Sequence, residues 1–381
     1  MKIAVNTRFL LPNKLEGIGY FTYEVLKRMV VAHPEHEFIF LFDRPFDARF
    51  VFAENITPVV LFPPARHPFL FIAWFEWSVA RALKKYKADV FFSPDNFLTL
   101  NTSTPSVLVV HDIAYAHFSD NNSWIFRQYY RYYMPRFVKK AAHILTVSTF
   151  TKEDVLEHYP YIKKDSISVC YNGCRDNYTP LSIFEQNDIK KRYTDDTDYF
   201  LYVGAVHPRK NVHRLIEAYD LYKKQNNTAT KLVICGRFAW QTGAVKSAYD
   251  DAKFKKDIIF TGYIKEEDLA SLTASALAMV YVSLFEGFGV PLLEAMHCDV
   301  PIITSDRTSM PEVAGEAAIL VNPENIEAIA QAMENVEKDP ILREKLIENG
   351  RIQRLKFSWE KTAAVVYEAI KKITNISQNR F

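Results

Sequence analysis

Two carboxylates stand eight residues apart in the run Glu286-Gly287-Phe288-Gly289-Val290-Pro291-Leu292-Leu293-Glu294. An apolar stretch, Ala278 to Val282, precedes it, and Pro291 suits a first helical turn, where its missing N–H would have no partner anyway. The run therefore reads as strand, glycine loop and helix, with helix onset near Val290. Backbone N–H groups and the positive end of the dipole at such a point favour a phosphate. Gly287 and Gly289 let a ligand approach the backbone closely. Glu286 precedes the turn and Glu294 lies one turn inside the helix, so the two can reach different parts of one bound molecule. The plainer account is that Glu294 complements a helix start and Glu286 caps a loop, and taken alone the spacing favours it.

A second strand end, Val203-Gly204-Ala205-Val206-His207-Pro208-Arg209-Lys210-Asn211, leads into a helix expected from Val212 to Tyr222. Adjacent Arg209 and Lys210 would offer a planar fork and a point charge to a diphosphate. Such contacts help catalysis most if they strengthen as the leaving diphosphate gains charge. A solvated basic loop is the plainer account. In the N-terminal half, Glu16-Gly17-Ile18-Gly19-Tyr20 follows the first strand and opens a helix to about Met29, without matching the dinucleotide-binding glycine pattern. His111-Asp112 ends the apolar strand Ser106 to Val110, where a polar side chain would point at a cleft; a core-edge histidine bonded to Asp112 is the alternative.

These residues need a scaffold that brings strand ends together. The 381 residues exceed one ordinary core, and 49% hydrophobic residues with 28 Phe and 21 Tyr call for a substantial interior, so two domains are expected. Apolar runs at Ile3 to Val5, Phe38 to Phe42, Val90 to Ser93, Ser106 to Val110 and Ile144 to Val147 alternate with helical patterns, as in βαβ units on a parallel sheet. A second series comprises Tyr199 to Val203, Lys231 to Cys235, Ile258 to Thr261, Ala278 to Val282, Pro301 to Thr304 and Ala318 to Val321. Between them, Cys170 to Thr197 loses periodicity and is expected as interdomain chain. The amphipathic stretch Trp359 to Ile373 should pack on something. The expected division is 1–175, 176–358 and a final helix in 359–381. Ligands in open α/β sheets sit outside the carboxyl ends of the strands, so two such domains facing each other would form an interdomain cleft.

Forty-seven basic residues against 45 acidic ones leave a formal charge of only +2, which gives no global field for nucleic acid. Met1 to Val5 runs straight into a strand without a secretory signal, so a cytoplasmic protein is expected. The greasiest stretch, Pro68 to Ala82, carries Glu76 and Arg81 and is shorter than the ~20 apolar residues of a spanning helix. Cys170, Cys174, Cys235 and Cys298 form no CxxC pair and read as buried small hydrophobes.

Taken together, these segments resemble glycosyltransferase family 4, retaining enzymes of GT-B fold that include many bacterial mannosyltransferases. Glu286 to Glu294 is similar to that family's paired-glutamate motif, and the likeness continues through Pro301-Ile302-Ile303-Thr304-Ser305 and Pro311-Glu312-Val313-Ala314-Gly315. Gly17-Ile18-Gly19, His111-Asp112 and Val147-Ser148-Thr149-Phe150-Thr151-Lys152 agree in order. The resemblance implies catalytic roles for His111 and Glu286, and diphosphate binding by Arg209, Lys210, Gly17 and Gly19, with a glycine loop closing over the phosphates. It implies donor sugar and ribose contacts from Glu286, Gly287, Phe288, Gly289, Val290 and Glu294. It further implies no metal, no cofactor beyond a nucleoside diphosphate sugar substrate (GDP-mannose favoured), and a final helix returning to the N-terminal domain. The acceptor would be a glycan or lipid-linked saccharide, and the leaving phosphate would act as base. A nucleotide-sugar epimerase and an inactive binding scaffold are the competing readings. Arg127 to Lys140, with Tyr129, Tyr130, Tyr132 and Tyr133, reads as a helix packed through some of its tyrosines or as a peripheral contact at the inner face of the cytoplasmic membrane.

Overall fold

Short apolar runs, most of them buried along their whole length, give thirteen strands among the described residues, and these pair into two wholly parallel sheets. The computed structural model describes residues 1–12, 15–65, 67–118, 124–237 and 243–378. It divides into two units, the first comprising Met1–Asn172 with Ser358–Phe381 and the second Gly173–Phe357.

Unit 1 contains β1 (Lys2–Asn6), β2 (Glu37–Phe42), β3 (Ile56–Val60), β4 (Val90–Ser93), β5 (Ser106–Val110), β6 (His143–Thr146) and β7 (Ile167–Val169), in the order β3-β2-β1-β4-β5-β6-β7. Ile3 lies opposite both Phe38 and Val90, so the winding reverses between β1 and β4. Helices on both faces of such a sheet bury its central strands, which is why they read as continuous apolar runs. The two strands absent from the sequence reading are the edges. β3 carries Pro58, tolerated where one side of the strand lacks a partner, and β7 is only three residues long.

Unit 2 repeats the winding with β8 (Tyr199–Val203), β9 (Lys231–Cys235), β10 (Ile258–Gly262), β11 (Ala278–Tyr281), β12 (Ile302–Ser305) and β13 (Ala318–Val321), in the order β10-β9-β8-β11-β12-β13. Its reversal falls between β8 and β11. The segment Cys170 to Thr197, expected as interdomain chain, holds a helix at Ile183–Thr194. That helix buries little beyond Thr194, so its sequence lacks an apolar stripe. Its legible signal is the capping box formed by Ser182 and Glu185.

The final helix, Trp359–Gln378, belongs to unit 1 and packs along the first, Gly17–Ala32. Ala363, Val366, Ala369, Ile370 and Ile373 are buried at helical spacing. Arg28 pairs with Glu360 at 2.6 Å, and Tyr367 stacks on His33 with ring centroids 3.6 Å apart. The Thr362 hydroxyl donates to the Tyr171 carbonyl. Ile370 is wholly buried, so Ile370→Ala should cost about 2–5 kcal/mol of unfolding free energy by transfer and cavity terms together. Urea denaturation checks this, and a loss below about 1 kcal/mol would contradict the packing described.

Candidate functional site

In unit 2 the reversal of winding brings the loops after β8 and β11 side by side. β11 ends at Tyr281, and after the loop the chain enters the helix Val290–His297, with Pro291 in its first turn. Gly289 caps that helix at φ +94°, and a Cβ there would lie 2.5 Å from the Met310 methyl, so this position requires glycine. Ser309 clamps the loop by donating to the carbonyls of Glu286 (2.9 Å) and Phe288 (3.1 Å). The Glu286 N–H donates to Thr308 Oγ1 at 3.3 Å. Gly287 is buried; Phe288 turns inward to meet Phe357 edge-on, with centroids 5.5 Å apart, and Val290 opens the helix.

The other loop makes one 3₁₀ turn, Pro208–Lys210, and passes through Asn211 at φ +61°. The buried Asn211 amide donates to the carbonyls of Val282 (3.0 Å) and Pro323 (2.6 Å), and the Leu284 N–H donates to the Arg209 carbonyl (2.8 Å). Arg209 and Lys210 are thereby both delivered to Glu286. Arg209 Nη1 lies 3.0 Å from Glu286 Oε2 and also donates to the Phe285 carbonyl at 2.8 Å. Lys210 Nζ lies 2.5 Å from Glu286 Oε1 and donates to the Tyr281 hydroxyl at 2.6 Å, which in turn donates to Oε1 at 2.9 Å. Tyr281 stacks on Tyr202, with centroids 5.8 Å apart.

Burial alone would raise the pKa of Glu286, but Lys210 and Arg209 outweigh it and hold the carboxyl down to about 2. Glu286 is therefore a fixed anion at neutral pH and cannot serve as a proton donor there. Glu294 is buried on the helix Val290–His297 and pairs with Arg175, Nη2 to Oε1, at 2.5 Å. Arg175 also donates to the Tyr178 hydroxyl at 2.6 Å and lies 3.2 Å from Glu266.

In unit 1 His111 follows β5. Its Nε2 is 2.8 Å from the Pro94 carbonyl, which can only accept, so that nitrogen carries the proton and Nδ1 keeps a lone pair. Burial holds the ring below the usual histidine pKa, although the Pro94 carbonyl, Asp112 and Asp95 pull the other way, and at neutral pH it is uncharged. Asp112 does not bond the ring, contrary to the core-edge alternative; its Oδ1 accepts the Ala114 N–H at 3.0 Å. Asn96 ties the backbone on either side, accepting from the His111 N–H (2.9 Å) and donating to the Asp112 carbonyl (3.0 Å).

The Pro94 carbonyl is held by a buried network that the sequence reading missed. Asn6 donates to Ser93 Oγ (3.0 Å), Ser93 to Asp95 Oδ1 (3.2 Å), and Arg8 pairs with Asp95 Oδ2 at 2.6 Å. The Arg8 guanidinium sits 4.3 Å from the Phe97 ring centroid and 4.7 Å from that of Phe9. Gly17 and Gly19 form the first turn of the Gly17–Ala32 helix, the helix the run was expected to open, and not the loop that the resemblance implied. A Cβ at Gly19 would come within 2.8 Å of the Phe9 carbonyl oxygen, whereas Gly17 faces open space.

The one group of His, Cys, Asp and Glu within metal-ligating reach among the described residues is His33, Glu35 and His36, in unit 1. No helix among the described residues is long and apolar enough to cross a membrane. All four cysteines are buried and unpaired.

A family model for glycosyl transferases group 1 matches residues 184–353, and one for glycosyltransferase family 4 matches residues 15–177. O-antigen chain mannosyltransferase B of Escherichia coli is 30% identical over 378 residues, covering 94% of this chain and 96% of that protein. O-antigen chain mannosyltransferase RfbU of Salmonella typhimurium is 30% identical over 275 residues, 72% of each chain. Among solved structures, HepE of Anabaena in complex with UDP-glucose has a TM-score of 0.76 at 15% identity, covering 98% of this chain and 100% of that one. At that identity the likeness is one of fold.

The Glu286 ion pairs make a measurable acid limb. A carboxyl depressed from its ordinary 4.5 to about 2 contributes stability that is complete above pH 4.5 and is lost as pH falls toward 2. That difference corresponds to about 3 kcal/mol. In Glu286→Gln this part of the slope should vanish. Urea melts of both proteins between pH 6 and pH 2.5 read it, and identical acid limbs would show that the ion pairs do not form.

Proposed function

The chain belongs to glycosyltransferase family 4 and has its GT-B fold, and from that premise we propose that it moves mannose from GDP-mannose to a growing saccharide in cell-surface polysaccharide synthesis. The coarser part, a hexosyltransferase using a nucleotide sugar, follows from the membership itself. Mannose is favoured because both relatives named above are O-antigen mannosyltransferases. The observation that carries the site reading is the buried Glu286 anion shared between Arg209 and Lys210 at the reversal of winding, the place where open α/β sheets bind ligands.

In this reading Arg209 and Lys210 face the donor diphosphate. Together they carry two positive charges against one on Glu286, leaving a net positive charge for the phosphates. As the bond from the anomeric carbon to the diphosphate oxygen breaks, the growing negative charge on that oxygen meets preorganised cations. The acceptor hydroxyl oxygen forms the new glycosidic bond from the face the diphosphate leaves, so the anomeric configuration is retained, and its proton passes to the leaving diphosphate. Glu286, ionised throughout, accepts hydrogen bonds from donor sugar hydroxyls and opposes the positive charge that develops at the anomeric carbon. Glu294 offers the ribose its Oε2, while Arg175 holds Oε1. His111 offers the Nδ1 lone pair to a sugar hydroxyl, with Pro94 fixing the tautomer. Gly17, at the open start of its helix, leaves room for a phosphate to approach the backbone. Exposed Trp124, Ile125 and Tyr132, with Arg136 and Lys139 on the same helix, support a peripheral contact of unit 1 with an anionic membrane face.

Kinetics with GDP-mannose and a mannose-terminated acceptor test the reading. Turnover should persist in EDTA, since the two cations rather than a metal balance the diphosphate. Glu286→Gln should lower kcat about a hundredfold, the equivalent of ~3 kcal/mol of transition-state stabilisation. Glu294→Gln should chiefly raise the donor KM. Turnover abolished by chelator and restored by magnesium, or wild-type kinetics in both folded variants, would refute these assignments.

A further inference from the structure

Unit 1 holds a pocket of about 520 Å³ bounded by the helices Ala114–His117, Trp124–Lys140 and Thr149–His158. That volume falls within the range of small-molecule sites, about 300–1,000 Å³. The helix Ala114–His117, which lines the pocket with Tyr115 and Ala116, starts directly after His111-Asp112 at the carboxyl end of β5, the end at which ligands of such sheets sit.

One wall is aromatic. Tyr115 and Tyr130 lie face to face, with centroids 4.8 Å apart and planes at 14°. The Tyr115 hydroxyl bonds that of Tyr159 at 2.5 Å, and Tyr130 is backed by Phe97, which also carries the Arg8 guanidinium. Trp124, two-thirds exposed at 66%, completes the rim. Flat rings with polar edges, locked from behind, suit a sugar, whose C–H face packs on a ring while its hydroxyls reach the rim.

The helix that carries Tyr130 also lines the pocket with basic side chains. Arg127 and Arg131 stand one turn apart on a single helix face, and among the described residues no carboxylate lines the pocket. Arg131 has no ion-pair or hydrogen-bond partner among the described residues, and its guanidinium is built to grip a planar carboxylate or a phosphate in two-point fashion.

We propose that this pocket is the acceptor subsite, and that it takes a saccharide bearing an anionic group, with a sugar ring on the Tyr115–Tyr130 wall and the anion on Arg127 and Arg131. The proposal rests on the transferase reading above. The anion could be a phosphate at the reducing end, as in a lipid-linked saccharide, or the carboxylate of an acidic sugar in the glycan.

Calorimetric titration with three probes tests the subsite, the donor site being filled by saturating GDP: α-mannose 1-phosphate, methyl β-glucuronide and neutral methyl α-mannoside. At least one anionic probe should bind at least about tenfold more tightly than the neutral one and lose about tenfold in R131E, the loss expected for one charge-assisted contact. The anionic probe that does so identifies the source of the charge. Arg131 is exposed, so R131E should melt like the wild type, and a melt on each sample confirms it. Equal affinity for all three probes, no binding of either anionic probe, or affinity unchanged in R131E would overturn the proposal. GDP affinity measured on the same samples reports the donor reading separately: its absence sinks that reading, whereas its presence beside a failed subsite confines the failure to the pocket.

Discussion

A carboxylate withdrawn from water costs several kcal/mol unless cations and donors replace its hydration, and in unit 2 the replacement comes from outside its own loop. Glu286 takes Lys210 and Arg209 from the turn after β8 and the Tyr281 hydroxyl from the end of β11. Two loops distant in sequence thereby become one bonded body, stitched further by the Leu284 N–H on the Arg209 carbonyl and the Asn211 amide on Val282. Glycine at 289 and serine at 309 follow from this constraint, because the loop must pass close to Met310 and still satisfy its own carbonyls. Without its cations the Glu286 charge would be stranded. The cations likewise are held still by the anion, which is the condition for meeting developing charge without reorganisation.

Unit 1 solves the same problem with the signs placed differently. The carboxyl ends of β1 and β4 are joined by the Arg8–Asp95 pair and the Asn6–Ser93 bridge, and these hold the loop whose Pro94 carbonyl fixes His111. The guanidinium lies among phenylalanine rings instead of facing open space, so its charge is spent on structure. What the network fixes in unit 1 is an uncharged imidazole, whereas unit 2 holds a fixed charge.

How much of this was legible in the sequence follows from what each residue type signals alone. Central strands such as Phe38 to Phe42 and Ala278 to Val282 announced themselves because burial on both faces leaves no room for polar interruption. β3 did not, since Pro58 mimics a turn, and the helix Ile183–Thr194 did not, since it buries almost nothing. Glu286, Arg209 and Lys210 could be picked out by their place at strand ends. Tyr281 could not, because a tyrosine closing an apolar strand looks like core until its hydroxyl is seen on a carboxylate. Arg175 lay in a stretch read as connecting chain, and Arg8 and Asp95 are partners 87 residues apart with no local pattern to join them.

The return of the helix Trp359–Gln378 to unit 1 makes that unit discontinuous, with all of unit 2 inserted before its final element. On the ribosome, the strands of the first sheet emerge early, yet the face of Gly17–Ala32 that receives Trp359, Glu360 and Tyr367 has no cover until residues beyond 358 are released. Unit 2, continuous in sequence, can reach its native state first, although it is synthesised later. Unit 1 can therefore be completed only after unit 2 has been synthesised, and a nascent chain halted within unit 2 presents an unfinished first unit with an open apolar groove, the kind of surface that holdase chaperones occupy.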